Sequence, residues 1–130
     1  MAYLLDTCVL IWSADPKDQF SEKAAKILEE SSEPLFVSAA SVAEIACIHA
    51  RKRLTLPSHW KPWFRQMLEV NGWECLPVDL DTLEEAYSLP QPFHADPGDR
   101  IIVATARLRG LTLLTGDRKI LAYPHVKTLW

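Results

Sequence analysis

No apolar run in this chain approaches the roughly 20 residues needed to cross a bilayer; segments such as IIVATA stop far short. The opening MAYLLDTCVLIW has no basic stretch and Asp6 interrupts its apolar residues, so neither a membrane span nor a signal peptide is expected. Cysteine is scarce and unpaired. Cys8, Cys47 and Cys75 form neither an even set nor a CxxC pair, which predicts free thiols, a reducing cytoplasmic location and no need for a disulfide or structural metal. Cys47 and His49, at i and i+2 of a predicted helix, face different ways, so buried packing is expected for the cysteines rather than a zinc site. Positive charge is also in deficit. Fourteen Lys and Arg against 17 Asp and Glu leave a net charge of -3, which excludes strong nonspecific polyanion binding by the whole surface but not a local patch. Arg51, Lys52 and Arg53, with Lys61, Arg65, Arg100, Arg107 and Arg109, are read as solvated helix faces and helix ends.

What is present fits one domain over residues 1–130, without internal repeats or low-complexity stretches. A chain of this length buries about two-thirds of the surface its unfolded form exposes. Strands are expected at 3–5, at LFV ending at Ser38, at WECLPV, at LTLLT and at VKTLW. Between them, helices are expected at 7–13 before the Asp15-Pro16 breaker, at Ser21–Ser31, and from Ser38 to about Arg53. LTLPSHWKPW is read as a connection, because Pro57 and Pro62 limit helix, and a helix follows it to Val70 before Asn71-Gly72. DTLEEAYSL is a short helix capped by Asp79 or Asp81, and Asp96-Pro97-Gly98-Asp99 opens a helix that Gly110 stops. A short turn or helix is placed near ILAY. Strands alternating with helices imply an α/β fold with a mostly parallel sheet of four to five strands and helices on both faces.

Four acids stand just after an apolar β-like run or on the helix that follows one: Asp6 in YLLDT, Glu44 in LFVSAASVAEI, Asp99 in HADPGDRII and Asp117 in LTLLTGD. If the strands lie side by side, their carboxyl ends gather all four into one crevice. At about 4 Å and an effective dielectric of about 20, each like-charge pair costs about 4 kcal/mol. That is a large share of a small domain's stability. Either raised pKa values protonate some of the acids, or a hard divalent cation, Mg²⁺ or Mn²⁺, neutralises them.

Each residue also has an ordinary local role. Asp6 is suited to cap the following helix, Asp117 to shape a Gly-Asp turn, and Asp99 to complete a capping box with Asp96 or to favour the helix dipole. Ser38 and Thr115 are suited to local backbone caps, and Asp96 is read as a cap in preference to an outer carboxylate of the site. Glu44 is more diagnostic, because an acid among Val42, Ala43, Ile45 and Ala46 needs a partner, a metal or a solvent-facing position.

The elements LLDTCVLIW, VSAASVAEIA, HADPGDRIIVATA and LTLLTGDRKI, in this order over essentially the full length, resemble the PIN domain. The resemblance is to VapC-like toxin ribonucleases of prokaryotic toxin and antitoxin pairs in particular, and RKRLTLP and VKTLW look like the same subgroup. It implies a three-layer α/β/α sandwich and Mg²⁺- or Mn²⁺-dependent hydrolysis of RNA phosphodiesters. By matching position, Asp6, Glu44 and Asp99 would be the main ligands, Asp117 would complete the site directly or through water, and Thr7, Ser38 and Thr115 would be supporting polar residues. Asp99 is preferred over Asp96 because it directly precedes the RIIVATA helix body. The chain departs from the family at Cys8, where His, Ser or Asn is more usual, and at Gly98, where an aromatic often stands.

A VapB-like antitoxin and a homodimer are implied on the same basis. Arg100 would either contact RNA or orient a ligand carboxylate through a salt bridge, and Trp60 and Trp63 would either stack on bases or lie in a dimer or antitoxin surface. Two alternatives compete. A haloacid-dehalogenase-like phosphatase needs a second acid two residues after Asp6, where Cys8 stands. A noncatalytic PIN-like module that binds RNA or protein would not need all four acids intact.

Overall fold

Leu4 and Leu5 are neighbours in the chain, are both wholly buried, and pack into different cores. Successive strand residues point to opposite sides, so such a run requires a parallel sheet covered on both faces. The computed structural model describes residues 2–14 and 19–130, and the Asp15-Pro16 breaker lies outside them. Strands β1 (Tyr3–Leu5), β2 (Leu35–Ser38), β3 (Glu74–Leu76), β4 (Thr112–Leu114) and β5 (Thr128–Leu129) form one parallel sheet in the order β3-β2-β1-β4-β5. Leu4 aligns with Phe36 and Leu113, and Leu5 with Val37 and Leu114.

The helices are α1 (Thr7–Ala14), α2 (Glu22–Glu30), α3 (Ala40–Ala50), α4 (Trp60–Asn71), α5 (Leu80–Ala86), α6 (Pro97–Arg109) and α7 (Arg118–Leu121). The chain begins at the sheet centre, moves outward through β2 to β3, then returns to place β4 on the other side of β1. Right-handed crossovers in opposite directions put their helices on opposite faces. Accordingly, Val9 and Leu10 of α1, Ala24 of α2, Ile45 of α3 and Phe64 of α4 cover Leu5, Val37 and Leu114. Ile102, Val103 and Ala106 of α6 and Ile120 of α7 cover Leu4 and Leu113. The expected three-layer α/β/α sandwich is present. The next residues beyond β1 and β4 are Asp6 and Thr115, and β2 ends on Ser38, so this reversal opens a crevice at the carboxyl edge.

Local signals explain most boundaries. Ser21 Oγ accepts the Ala24 N–H at 3.0 Å to start α2, and Gly72 and Gly110, at φ of 67° and 63°, take the left-handed conformation that closes α4 and α6. Two boundaries differ from expectation. Helix α4 begins at Trp60, inside the segment read as a connection, because Pro62 falls in the first turn, where its missing N–H has no intrahelical partner to lose. Helix α3 ends at Ala50 rather than about Arg53, and Lys52 enters the left-handed region at φ 55°. Cys47 is exposed rather than buried. Among the described residues, no helix is long and apolar enough to cross a membrane.

Candidate metal centre

Asp6 follows directly on β1, and its backbone N–H continues the sheet by donating to Leu114 O at 3.0 Å. Its carboxylate is buried and held at both oxygens. The Thr7 N–H donates to Oδ1 at 2.8 Å, while Thr115 Oγ1 donates to Oδ2 at 2.7 Å and the Cys8 thiol approaches Oδ2 at 3.6 Å. Asp6 therefore serves the start of α1, as its local role required, and also presents a carboxylate fixed from two strands.

Thr7 carries the second link. Its single hydroxyl proton goes to Glu44 Oε1 at 2.7 Å, so Ser41 must donate to Thr7 Oγ1 across their 2.8 Å contact. Ser41 was not expected to take part, although its place one turn before Glu44 is a signal available in the sequence. Ser38 is buried, and its Oγ accepts the Ala40 N–H at 3.0 Å. Ser38 is nevertheless not the helix cap expected of it: β2 runs through Ser38, and Ala39 is the N-cap of α3.

The third approach comes from α6. Asp96 caps it through Oδ1, which accepts the Gly98 N–H at 3.0 Å, and Pro97 takes the first helical position. Carboxylate oxygens of Glu44, Asp96 and Asp99 lie within 4.8 Å of one another, a donor set able to hold a cation. Asp6 and Asp117 stand outside that group, although their charges reach it. Asp117 is half-buried, caps α7 by accepting the Lys119 N–H at 2.8 Å, and is tied back to the site by donating its own N–H to Thr115 Oγ1 at 3.0 Å.

Burial is the main cause that raises Asp99, Asp6 and Glu44, and neighbouring charges add to it. Asp99 is pushed up to about 8 by desolvation and then by the charges of Asp6, Asp96, Glu44 and Asp117. Burial lifts Asp6 despite the hydrogen bonds that favour its charged form, and Asp117 adds to the rise. Glu44 is raised by burial and by Asp6 and Asp96, against the Thr7 hydrogen bond. Burial and the Asp6 charge also raise the Cys8 thiol to about 12, so Cys8 stands there as a neutral thiol. Carboxylates at such a cost are what a divalent cation relieves, and an all-oxygen donor set suits a hard one. On this geometry the residues fit a Mg²⁺ or Mn²⁺ ion.

His94 is a residue sequence reasoning missed. Its Nε2 lies 3.1 Å from Asp99 Oδ2 and, though buried, makes no aligned hydrogen bond. Its place in HADPGDR, three residues ahead of the α6 start, was the only signal.

Arg100 does not pair with Asp99: its guanidinium donates to Ala86 O at 2.9 Å and Phe93 O at 3.1 Å and lies over the Tyr87 and Phe93 rings. One residue after Asp99 on a helix, it points about 100° away, toward α5 and the loop that carries His94. Trp63 is buried in the core, 7% exposed, and cannot stack on a base; Trp60 is half-buried.

The chain is 33% identical to Ribonuclease VapC22 of Mycobacterium tuberculosis, an alignment covering 98% of this chain and 97% of that one. Its fold is similar to that in the crystal structure of VapBC2 from Rickettsia felis bound to a promoter DNA fragment, with a TM-score of 0.71 at 13% identity, covering 100% of this chain and 99% of the other. It is likewise similar to FitAcB from Neisseria gonorrhoeae, with a TM-score of 0.69 at 24% identity over 98% and 96% of the two chains. With residues 3–126 matching the sequence pattern of the PIN domain, this chain belongs to the PIN domain family.

Proposed function

We propose that this chain is a single-domain VapC-type toxin: a cytoplasmic, Mg²⁺- or Mn²⁺-dependent endoribonuclease that hydrolyses RNA phosphodiesters. The observation that carries this is the meeting of Glu44, Asp96 and Asp99 over the carboxyl edge of a PIN fold, within reach of the Asp6 charge, in a chain 33% identical to a named ribonuclease. Glu44, Asp96 and Asp99 would hold the cation, with Asp6 and Asp117 completing the negative field. When bound, the cation polarises a phosphate oxygen and makes a water easier to deprotonate.

The protein's own groups do the rest. Thr115 and Thr7 lock the Asp6 and Glu44 carboxylates, so these do not have to reorganise as substrate binds. Asp99 must give up its proton to take part, and His94 Nε2 stands 3.1 Å from its Oδ2. A carboxylate facing the water accepts a proton as the phosphorus is attacked in line. Because water, not the ribose 2′-hydroxyl, is the nucleophile, products carry 5′-phosphate and 3′-hydroxyl ends. With Arg100 committed elsewhere, Arg118 and Lys119, exposed on α7 directly after Asp117, take over the task of drawing RNA to an acidic crevice.

A VapB-like antitoxin and a second copy of this chain are the proposed partners. Supporting a protein partner, Leu80, Leu83 and Tyr87 form an exposed apolar stripe on and just after α5. An apolar groove of about 660 Å³, lined by Ala43, Cys47, Ile48, Val78 and Ile101, opens beside Glu44. Membership of the PIN family leaves no place for a haloacid-dehalogenase-like phosphatase.

The test is cleavage of RNA by the purified chain with Mg²⁺ or Mn²⁺, its loss on chelation and in Asp6→Asn, and its suppression when the adjacent small open reading frame is co-expressed. Cleavage that survives both chelation and Asp6→Asn, or products ending in 2′,3′-cyclic phosphate, would sink this assignment.

A further inference from the structure

The carboxyl edge of the sheet carries aromatic rings as well as acids. Strands β4 and β5 align Leu114 with Leu129, and the Thr115 N–H donates to Leu129 O at 3.2 Å, so Trp130 comes out beside the Thr115-Gly116-Asp117 turn. Trp12 reaches the same turn from α1. A Cβ on Gly116 would stand 2.9 Å from Trp12 Cζ3, 3.0 Å from its Cη2 and 3.0 Å from Trp130 Cε2, so both indoles lie against the backbone between Thr115, which holds Asp6, and Asp117. Phe20 completes the group, its ring centroid 6.3 Å from that of Trp12 and 5.9 Å from that of Trp130, while the two tryptophans are 5.4 Å apart. These pairs are tilted at 71°, 54° and 57°, so no ring spends a face on another face, and all three side chains are only half-buried. Arg118 and Lys119 stand exposed just beyond the turn.

We propose that Trp12, Phe20 and Trp130 form a stacking platform for an unpaired nucleobase of the RNA next to the bond that is cut; the ligand rests on the ribonuclease reading above. Single-stranded RNA matches both halves of this surface, since its bases lay flat faces on aromatic rings and its phosphates meet cations. A base held on the indoles, with its phosphates at Arg118 and Lys119, leads the strand along the Thr115 turn to the acids. Trp63 is buried, so the base-stacking expected of Trp60 and Trp63 passes to rings at the crevice itself.

The experiment titrates the full chain in chelator, where nothing is cut, with labelled single strands of A or of U about ten nucleotides long and with duplex RNA, and measures Mn²⁺ affinity separately by calorimetry. Trp12→Leu and Trp130→Leu are each expected to weaken single-strand binding about 10-fold and to leave duplex binding unchanged, because paired bases are already stacked. Trp130→Phe keeps a ring and should stay within about 3-fold of wild type, and Mn²⁺ affinity should hold in every variant. Unchanged single-strand affinity in both leucine variants overturns the proposal. So does a parallel loss of Mn²⁺ affinity, which makes the rings a brace for the Thr115 turn. Wild-type RNA binding with lost capture of the protein encoded by the adjacent small open reading frame also overturns it, and gives the surface to a protein partner. Where leucine prevents folding, the wild-type indole fluorescence decides: quenching by the single strands but not by duplex supports the platform, and no quenching refutes it. If wild type neither binds nor cuts RNA, the ribonuclease reading fails first and this inference falls with it.

Discussion

Raising the pH from about 5 to about 8 in chelator should lower the unfolding temperature of this protein, and the sign follows from Asp99. Its folded pKa stands at about 8, far above the ordinary 3.8. Between those values the folded protein keeps a proton that the unfolded chain has released. Stability then falls as pH rises, by up to about 1.4 kcal/mol per pH unit for one proton. Halving that for solvent screening leaves about 2 kcal/mol over three units. For a chain of this size it is a drop of about 7 °C. Burial moves Asp6 and Glu44 in the same direction, which adds to the fall. Asp79, whose carboxyl is lowered by the Thr82 hydroxyl and N–H, acts with the opposite sign but below its ordinary value, outside this window. Saturating Mn²⁺ requires the carboxylates deprotonated, so it should stabilise most at high pH, by about 2.7 kcal/mol at a hundred times its Kd. Circular dichroism melts across this range, with chelator and with Mn²⁺, read the effect directly, and Asp99→Asn should flatten the chelator series. A wild-type melting temperature that rises or stays level from pH 5 to 8 in chelator would refute the account of the acids.

Thr7→Val removes the donor to Glu44 and the acceptor for Ser41; it should cost about 1–2 kcal/mol in denaturant unfolding and weaken Mn²⁺ binding about 10-fold by titration. Arg100→Ala loses two carbonyl hydrogen bonds and two ring contacts, so about 2 kcal/mol of stability should go while Mn²⁺ affinity holds; lost affinity would return Arg100 to the site. Replacing Arg118 and Lys119 together by alanine should raise KM for RNA and flatten its salt dependence with kcat unchanged, and an unchanged salt slope would remove them from the RNA path.

Much of the fold was legible because local chemistry dictates it. Two-sided apolar triplets such as YLL and TLL demand a covered parallel sheet, and Ser21, Asp79 and Asp96 sit where helix caps must. The α4 start was misplaced because proline reads as a breaker, while in a first turn it breaks nothing. Within the site, Asp6 and Asp117 were legible as acids just after strands, and Glu44 as an acid on the helix that follows one. Their partners were not, since Thr115 and Asp6 are 109 residues apart and only the pairing of β1 with β4 makes them neighbours.

The amino-acid sequence by itself determined the layer architecture, the order of the strands along the chain and the identity of the acids, because periodicity, capping and turn chemistry act over a few residues. Tertiary structure decided which acids stand together, bringing the helix cap Asp96 within reach of Glu44 and Asp99. It also brought His94 to Asp99 and sent Arg100 to the Ala86 and Phe93 carbonyls. These outcomes depend on how α3 and α6 meet over the sheet edge, a distance set by packing that no local pattern encodes.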